Sequence, residues 1–321
     1  MIEVEKQIRN SFLLFLTATI WGTAFVAQSV GMERVEPLTF NAVRCLIGGL
    51  FLLPCMALLN HLFPQRKQAL ASQLHYPSLR HSALFGGMIC GLLFTLASNL
   101  QAYGVKYTTV GKAGFITSSY IVIVPLLGLF MKKKVRLRIW MAVAIAMSGL
   151  YLLCMGEQLT LALGDLLVFL SAILFSLHIL AIDHFAARVD GVLLSCMQFM
   201  ICGILTLIAA FLFENSDIEA LLAAAFPLFY AGIMSCGVAY TLQIVGQKDM
   251  NPTVAALILS LESCISVIAG WIFLHEVLST KEMIGCLLMF VAIVIAQLPQ
   301  RKSVKESDGI SKKYSSLSNM E

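Results

Sequence analysis

Long apolar runs separated by short polar breaks recur along this chain, and ten of them approach the roughly 20 residues that span a hydrocarbon core. They lie at 11–31, 38–60, 82–103, 109–130 and 137–155, then at 161–183, 192–213, 221–243, 252–273 and 282–298. Alternation over ten-residue strands is absent, which argues against an outer-membrane barrel. The pattern predicts an all-α integral membrane protein with ten transmembrane helices. Composition points the same way: 59% hydrophobic residues, 12% charged residues and a mean hydropathy of +0.86 are more than a water-soluble globule of 321 residues can bury.

The pattern also repeats. A shift of 142 positions lays 96–153 on 238–295 with 13 identities in 58 positions. Aliphatic matches come cheaply in so apolar a chain, so the weight rests on Gln101/Gln243, Gly104/Gly246, Lys106/Lys248 and Ser118/Ser260. Near the start of each copy, Phe15-Leu16-Thr17-Ala18 matches the pattern of Phe169-Leu170-Ser171-Ala172. Two five-helix units follow, 11–155 and 161–298, between a charged segment 1–10 and a Ser- and Lys-rich tail 299–321. The tail is expected to be disordered, with its basic residues near anionic lipid. A cleaved signal peptide is the competing reading of the N-terminus; its apolar run of 21 residues exceeds a signal core, so the first helix is expected to be retained.

Charge orients the helices. With both termini in the cytoplasm, 17 of the 22 Lys and Arg residues fall inside, four fall outside and Arg44 lies within a helix. Five helices per copy then make the two copies inverted. Consistent with inversion, Lys132, Lys133 and Lys134 on the inner side align with Leu274, His275 and Glu276 on the outer side. Inverted repeats are the architecture of many secondary transporters, which hold substrate near the midplane. The net charge of +4 follows from this orientation, so no nucleic-acid partner is implied. The segment 65–80 is read as a cytoplasmic surface loop or short amphipathic helix. Nine cysteines show no ligand spacing and are read as packing residues, with neither disulfide nor metal site expected. No enzyme signature and no cofactor-binding loop is recognisable.

Candidate chemistry is sparse. Glu262 lies about 15 Å along the helix beginning at Pro252, near the bilayer centre, where an ionisable group faces a cavity or a partner. A neutral Glu that merely ties helices together is the alternative. The offset of 142 makes Tyr120 its counterpart. Ser118, Ser119 and Ser260 lie beside this pair, although such hydroxyls often bond only the preceding turn of their own helix. Arg44, about 9 Å inside the second helix, is read as an anion-attracting group, a partner for Glu262 or a snorkelling side chain. Trp21 offers a flat wall for an apolar moiety, His178 a gate or a packed imidazole, and Asn99 and Gln243 lie at related helix ends. Gly87 and Gly91 allow close helix approach, and Pro125 is expected to interrupt the fourth helix.

Read together, 15–25 with Trp21-Gly22, 40–50 with Arg44, 107–128 (YTTVGKAGFITSSYIVIVPLLG) and 257–278 with Ser260-Leu261-Glu262 resemble the drug/metabolite transporter superfamily, specifically its EamA-type bacterial members. The resemblance spans about nine-tenths of the chain. Two departures stand out: Ser263 follows Glu262 where the family often has Pro, and the region of Lys134 is basic where the family often has Glu. The resemblance implies a ten-helix carrier of the bacterial inner membrane, with a central cavity and a small metabolite, such as an amino acid, as its exported substrate. Protons are a candidate coupling partner, and homodimerisation is left open. Two alternatives stand beside this reading: exchange of phosphorylated or nucleotide-linked sugars, and a receptor or scaffold without flux.

Overall fold

The computed structural model describes residues 2–75, 77–107, 110–130, 135–154, 163–215, 217–273 and 280–297. Lys132 to Lys134, His275, Glu276, the link between the halves and the tail 299–321 lie outside the described residues. Within them the chain is helical and contains no strand. The elements are α1 (Ile2–Met32), α2 (Pro37–Leu62), α3 (Pro64–His75), α4 (Pro77–Lys106), α5 (Val110–Thr117), α6 (Tyr120–Phe130), α7 (Leu137–Cys154), α8 (Leu163–Phe185) and α9 (Gly191–Phe213). There follow α10 (Ile218–Ala223), α11 (Ala225–Phe229), a wide π-helical segment (Tyr230–Ala239), α12 (Tyr240–Gln247), α13 (Pro252–Leu259), α14 (Leu261–Phe273) and α15 (Thr280–Gln297).

Among the described residues, seven helices are long and apolar enough to cross a membrane. They are Glu5–Met32, Pro37–Leu62, Leu79–Lys106, Leu163–Phe185, Gly191–Phe213, Ala225–Gln247 and Pro252–Ala269. Tyr120–Phe130, Leu137–Leu152 and Met283–Ala296 are apolar but shorter. Large apolar side chains such as Phe12, Leu53, Phe85 and Phe211 point outward, as they must where the surrounding solvent is hydrocarbon.

The helix limits differ from the apolar runs in instructive ways. The first helix begins at Ile2, because the charged start is built of Glu, Lys, Gln and Arg, which favour helix even outside hydrocarbon. Segment 64–75 forms the short helix α3. The fourth run breaks at Ser118-Ser119, one to two turns before Pro125, which itself sits inside α6. A proline removes its bond to the carbonyl four residues earlier and crowds that turn, so distortion accumulates on its N-terminal side. The equivalent break between α13 and α14 has no proline. There the Ser260 hydroxyl donates to the Leu257 carbonyl at 2.7 Å, competing with the helix ladder.

Helix packing among the described residues forms four apolar clusters, of which two bear on the site. One gathers Ile121, Val124, Leu150, Leu257 and Met289 from α6, α7, α13 and α15; the other surrounds Phe94, Phe199 and Cys236. Trp21 on α1 touches both. α2 lies along α9, α7 along α15, α4 against α8 and α9, and α1 against α14. Small residues set the closest approaches. A Cβ on Gly22 would fall 2.5 Å from the Ile265 Cβ and 2.8 Å from the Glu262 carbonyl oxygen, so only glycine lets α1 press against α14 at this level. Likewise a Cβ on Gly48 would meet the Cys236 Cβ at 2.6 Å, which brings α2 onto the π segment. Gly87 and Gly91 sit against Met197 and Ile201, as the sequence spacing anticipates.

Two polar contacts tie the ends. Glu214, following α9, accepts the Leu38 and Thr39 amides at 2.8 and 2.7 Å, the Thr39 hydroxyl at 2.8 Å and the Tyr103 hydroxyl at 3.2 Å. One carboxylate thereby satisfies the start of α2 and joins α2, α4 and α9. At the other end of α9, Asp190 accepts the Val192 and Leu193 amides and a two-pronged Arg66 contact at 2.7 and 3.1 Å. An exposed Lys6–Asp249 pair at 2.7 Å adds little, and the hydrogen bond from Lys6 holds the Asp249 carboxyl below its ordinary range. That contact is complete above the ordinary carboxylate range and is lost as pH falls through the lowered value.

Glu214→Ala is expected to cost about 2 kcal/mol, since it leaves charged-group hydrogen bonds at two amides unmade. Thermal unfolding in detergent checks it: a lowered midpoint is expected, with a smaller loss for Asp217→Ala at the exposed start of α10, and equal midpoints for wild type and Glu214→Ala would refute the clamp.

Candidate functional site

A narrow cavity with about 50 Å³ accessible to water lies between the two cores. α1 contributes Trp21, Ala24, Phe25 and Gln28, one face at helical spacing; α2 contributes Arg44. Gln101 comes from α4, Thr117 and Tyr120 from either side of the first break, and Leu259 and Glu262 from either side of the second. Phe175, His178 and Ile179 of α8, with Ser235, Tyr240 and Gln243 around the π segment and α12, complete the wall. Twelve of these sixteen residues are six pairs at the two repeat offsets: Trp21/Phe175, Ala24/His178 and Phe25/Ile179 at 154, and Gln101/Gln243, Thr117/Leu259 and Tyr120/Glu262 at 142. Equivalent positions of the two copies thus converge on one space.

At the middle, the Tyr120 hydroxyl donates to Glu262 Oε1 at 3.0 Å. The two residues opposed by the sequence offset are therefore in contact. Each opens the half-helix after a break, Tyr120 on α6 and Glu262 in the first turn of α14. The crossing is pinned by Ser118 and Ser263, whose hydroxyls lie 2.6 Å apart, while Ser263 also donates to the Gly114 carbonyl. The amides at the breaks stay bonded, Ser118 to Gly114, Ser260 to Ala256 and Ser263 to Ser260, so these are kinks rather than open helix ends.

Arg44 is buried. Its Nε donates to Asn41 Oδ1 at 2.8 Å and its Nη1 to Gln28 Oε1 at 3.1 Å. Among the described residues no carboxylate lies within ion-pair distance of it, so it neither snorkels outward nor meets Glu262. Asn41 in turn donates to Ser98 and Asn99, and Asn99 to Thr206, a chain of neutral groups behind the guanidinium. A buried cation held only by amide oxygens and facing a cavity is suited to attract an anion.

The remaining polar lining is built of amides, an imidazole and aromatic rings. His178 Nε2 meets Gln198 Oε1 at 3.0 Å, and Gln247 donates to the Ile179 carbonyl at 2.9 Å while accepting from Gln243 at 3.3 Å. Trp21 and Tyr240 pack with ring centroids 4.4 Å apart, and Phe94 lies behind Tyr240 at 4.9 Å.

Of the residues singled out from the sequence, Trp21, Arg44, Tyr120, His178, Gln243 and Glu262 line this cavity. Ser118, Ser119, Ser260 and Asn99 do not: Ser118 and Ser260 bond within the helix breaks, Ser119 forms the first break, and Asn99 stands behind Arg44. Gln28, Thr117 and Tyr240 join the lining without having been singled out as site residues. Gln28 was signalled by its spacing of seven from Trp21 on one face of α1.

Comparison with known proteins agrees with this architecture. The model of the EamA-like transporter family matches residues 9–155 and again 162–297. The chain belongs to the EamA-like transporter family. It is 28% identical over 297 residues to an uncharacterized transporter of Archaeoglobus fulgidus, covering 92% of this chain and 88% of that protein. It is 22% identical to the uncharacterized inner membrane transporter YedA of Escherichia coli K12, covering 89% of each. A solved crystal structure with 17% sequence identity superposes with a TM-score of 0.71 over 90% of this chain and 96% of that one, which shows a shared fold. This EamA-family chain is therefore a membrane transporter, and the family suggests a non-enzymatic role.

In a cysteine-free background, Ser118→Cys combined with Ser263→Cys is expected to form a disulfide under mild oxidation, because the two hydroxyls already touch. Mass spectrometry of the linked peptides checks it; free thiols on both after oxidation would contradict the crossing.

Proposed function

We propose that this protein carries a small metabolite, an amino acid or a related compound, out of the cell across the bacterial inner membrane by alternating access. The shorter helices Tyr120–Phe130, Leu137–Leu152 and Met283–Ala296 complete ten spans with the seven long ones, arranged as inverted repeats 11–155 and 161–298 with cytoplasmic ends. The observation that carries this reading is the cavity itself. Six pairs of equivalent residues surround it, as expected at a pseudo-two-fold axis, and it holds one carboxylate and one uncompensated cation. The pairing of α2 with α9 and α7 with α15 supports the same axis, since each pair joins equivalent helices of the two copies.

In this mechanism Arg44 draws in a substrate carboxylate, Glu262 takes a proton or a substrate amine, and Trp21, Tyr120 and Tyr240 form the walls. A water needs roughly 10–15 Å³ of such space, so about 50 Å³ admits a few waters and no free amino acid. That size supports a contracted form, which widens toward one side at a time as the halves rock. Among the described residues Arg44 is the single lining cation, which favours a carboxylate over a phosphorylated or nucleotide-linked sugar, which needs several.

Two substitutions separate the roles. Glu262→Gln is expected to abolish or flatten the pH dependence of flux in proteoliposomes, and Arg44→Gln to weaken uptake of carboxylate-bearing solutes by roughly 10- to 100-fold, the range set by a charge-assisted hydrogen bond. A folded Glu262→Gln protein with wild-type rate and pH profile removes the carboxylate from the mechanism. Metabolite profiling of cells with and without the protein identifies the solutes to load.

A further inference from the structure

Building on the transport reading above, we infer that Trp21 and Gln243 form a neutral polar subsite that selects substrates carrying a hydroxyl or carboxamide group. Two buried polar atoms in the cavity wall have no partner among the described residues: the Trp21 Nε1 donor and the Gln243 Oε1 acceptor. Gln243 is only 1% exposed. Its amide orientation is dictated by its neighbours. The Ile179 carbonyl can only accept, so Gln247 presents Nε2 to it and Oε1 to Gln243, and Gln243 must donate with Nε2. Its oxygen is left without a partner, on a residue that lines the cavity. The indole nitrogen of Trp21 can only donate.

Comparison of the two copies shows that an internal hydroxyl beside this amide has been lost. Gln101, the counterpart of Gln243, donates to the Thr117 hydroxyl at 3.1 Å, and the counterpart of Thr117 is Leu259. The second copy has replaced the internal partner with an apolar side chain. Tyr240 adjoins both residues: the Trp21 ring packs tilted against it with centroids 4.4 Å apart, and Gln243 follows it by about one helical turn. A substrate group that accepts from the indole and donates to the amide satisfies both. A purely apolar group of the same size leaves both unpaired, and sites of this kind reject such analogues strongly.

The test uses the full chain in nanodiscs with Trp140→Phe and Trp271→Phe, leaving Trp21 as the only one of the three tryptophans. L-Threonine against L-valine and L-glutamine against L-methionine are titrated as size-matched pairs, and Trp21 emission is recorded. The polar member of each pair is expected to shift the emission and bind about 10-fold tighter, as expected when the apolar member leaves buried polar groups unpaired. Gln243→Met is expected to bring the ratio below about threefold. So is Leu259→Thr, which offers the Gln243 amide an internal hydroxyl as Thr117 does for Gln101, with folding of the variant checked by its thermal midpoint. Equal binding within each pair, binding by none of the four, or a ratio unchanged by both substitutions overturns the subsite. Flux of the same solutes in proteoliposomes is scored separately: binding without flux sinks the transport reading and spares the subsite, while flux without discrimination does the reverse.

Discussion

Polar groups carried into hydrocarbon by these helices must find partners inside the protein, and the architecture follows from meeting that demand. Thr17 donates to the Ala239 carbonyl at the end of the π segment, where wide turns loosen the backbone ladder. Ser171 donates to the Ala97 carbonyl, and Gln247 reaches the Ile179 carbonyl. Each contact joins two helices that apolar packing alone would leave free to slide. Around Arg44 the same demand produces a layered set of amides and hydroxyls rather than a counter-charge. A full ion pair would neutralise the guanidinium; neutral acceptors orient it and leave its charge available.

Symmetry supplies the frame and its violations supply the chemistry. Equivalent positions converge on the cavity, yet they seldom carry the same residue: Tyr120 faces Glu262, Thr117 matches Leu259, and Ala24 matches His178. A perfectly symmetric pair of units would present identical ends to a substrate. Here the carboxylate of Glu262 has a neutral phenol, Tyr120, as its counterpart, so the lining is asymmetric in charge.

Much of this was legible in the linear sequence. The apolar runs announced a helical membrane protein, the offset of 142 opposed Tyr120 to Glu262, and the depth of Glu262 marked it as a cavity residue. Those inferences depend on distance along an axis, and a helix rises by a constant 1.5 Å per residue whatever surrounds it. The hydroxyl cluster was harder to read. Ser118 and Ser260 share the depth of Glu262, but they spend their hydrogen bonds on the helix breaks. Gln28 and Tyr240 belong to the lining, although neither stands out by composition.

The sequence by itself determined class and the correspondence between copies, because hydrophobicity and internal similarity are properties of the chain alone. The tertiary structure decided which side chains meet. Rotation about a helix axis changes at every kink and wide turn, and Ser118-Ser119, Ser260 and Tyr230–Ala239 each reset it. Azimuth after such a break is a result of packing between helices distant in sequence. For that reason Arg44 could be assigned a depth but not a partner until α1, α2 and the π segment were seen together.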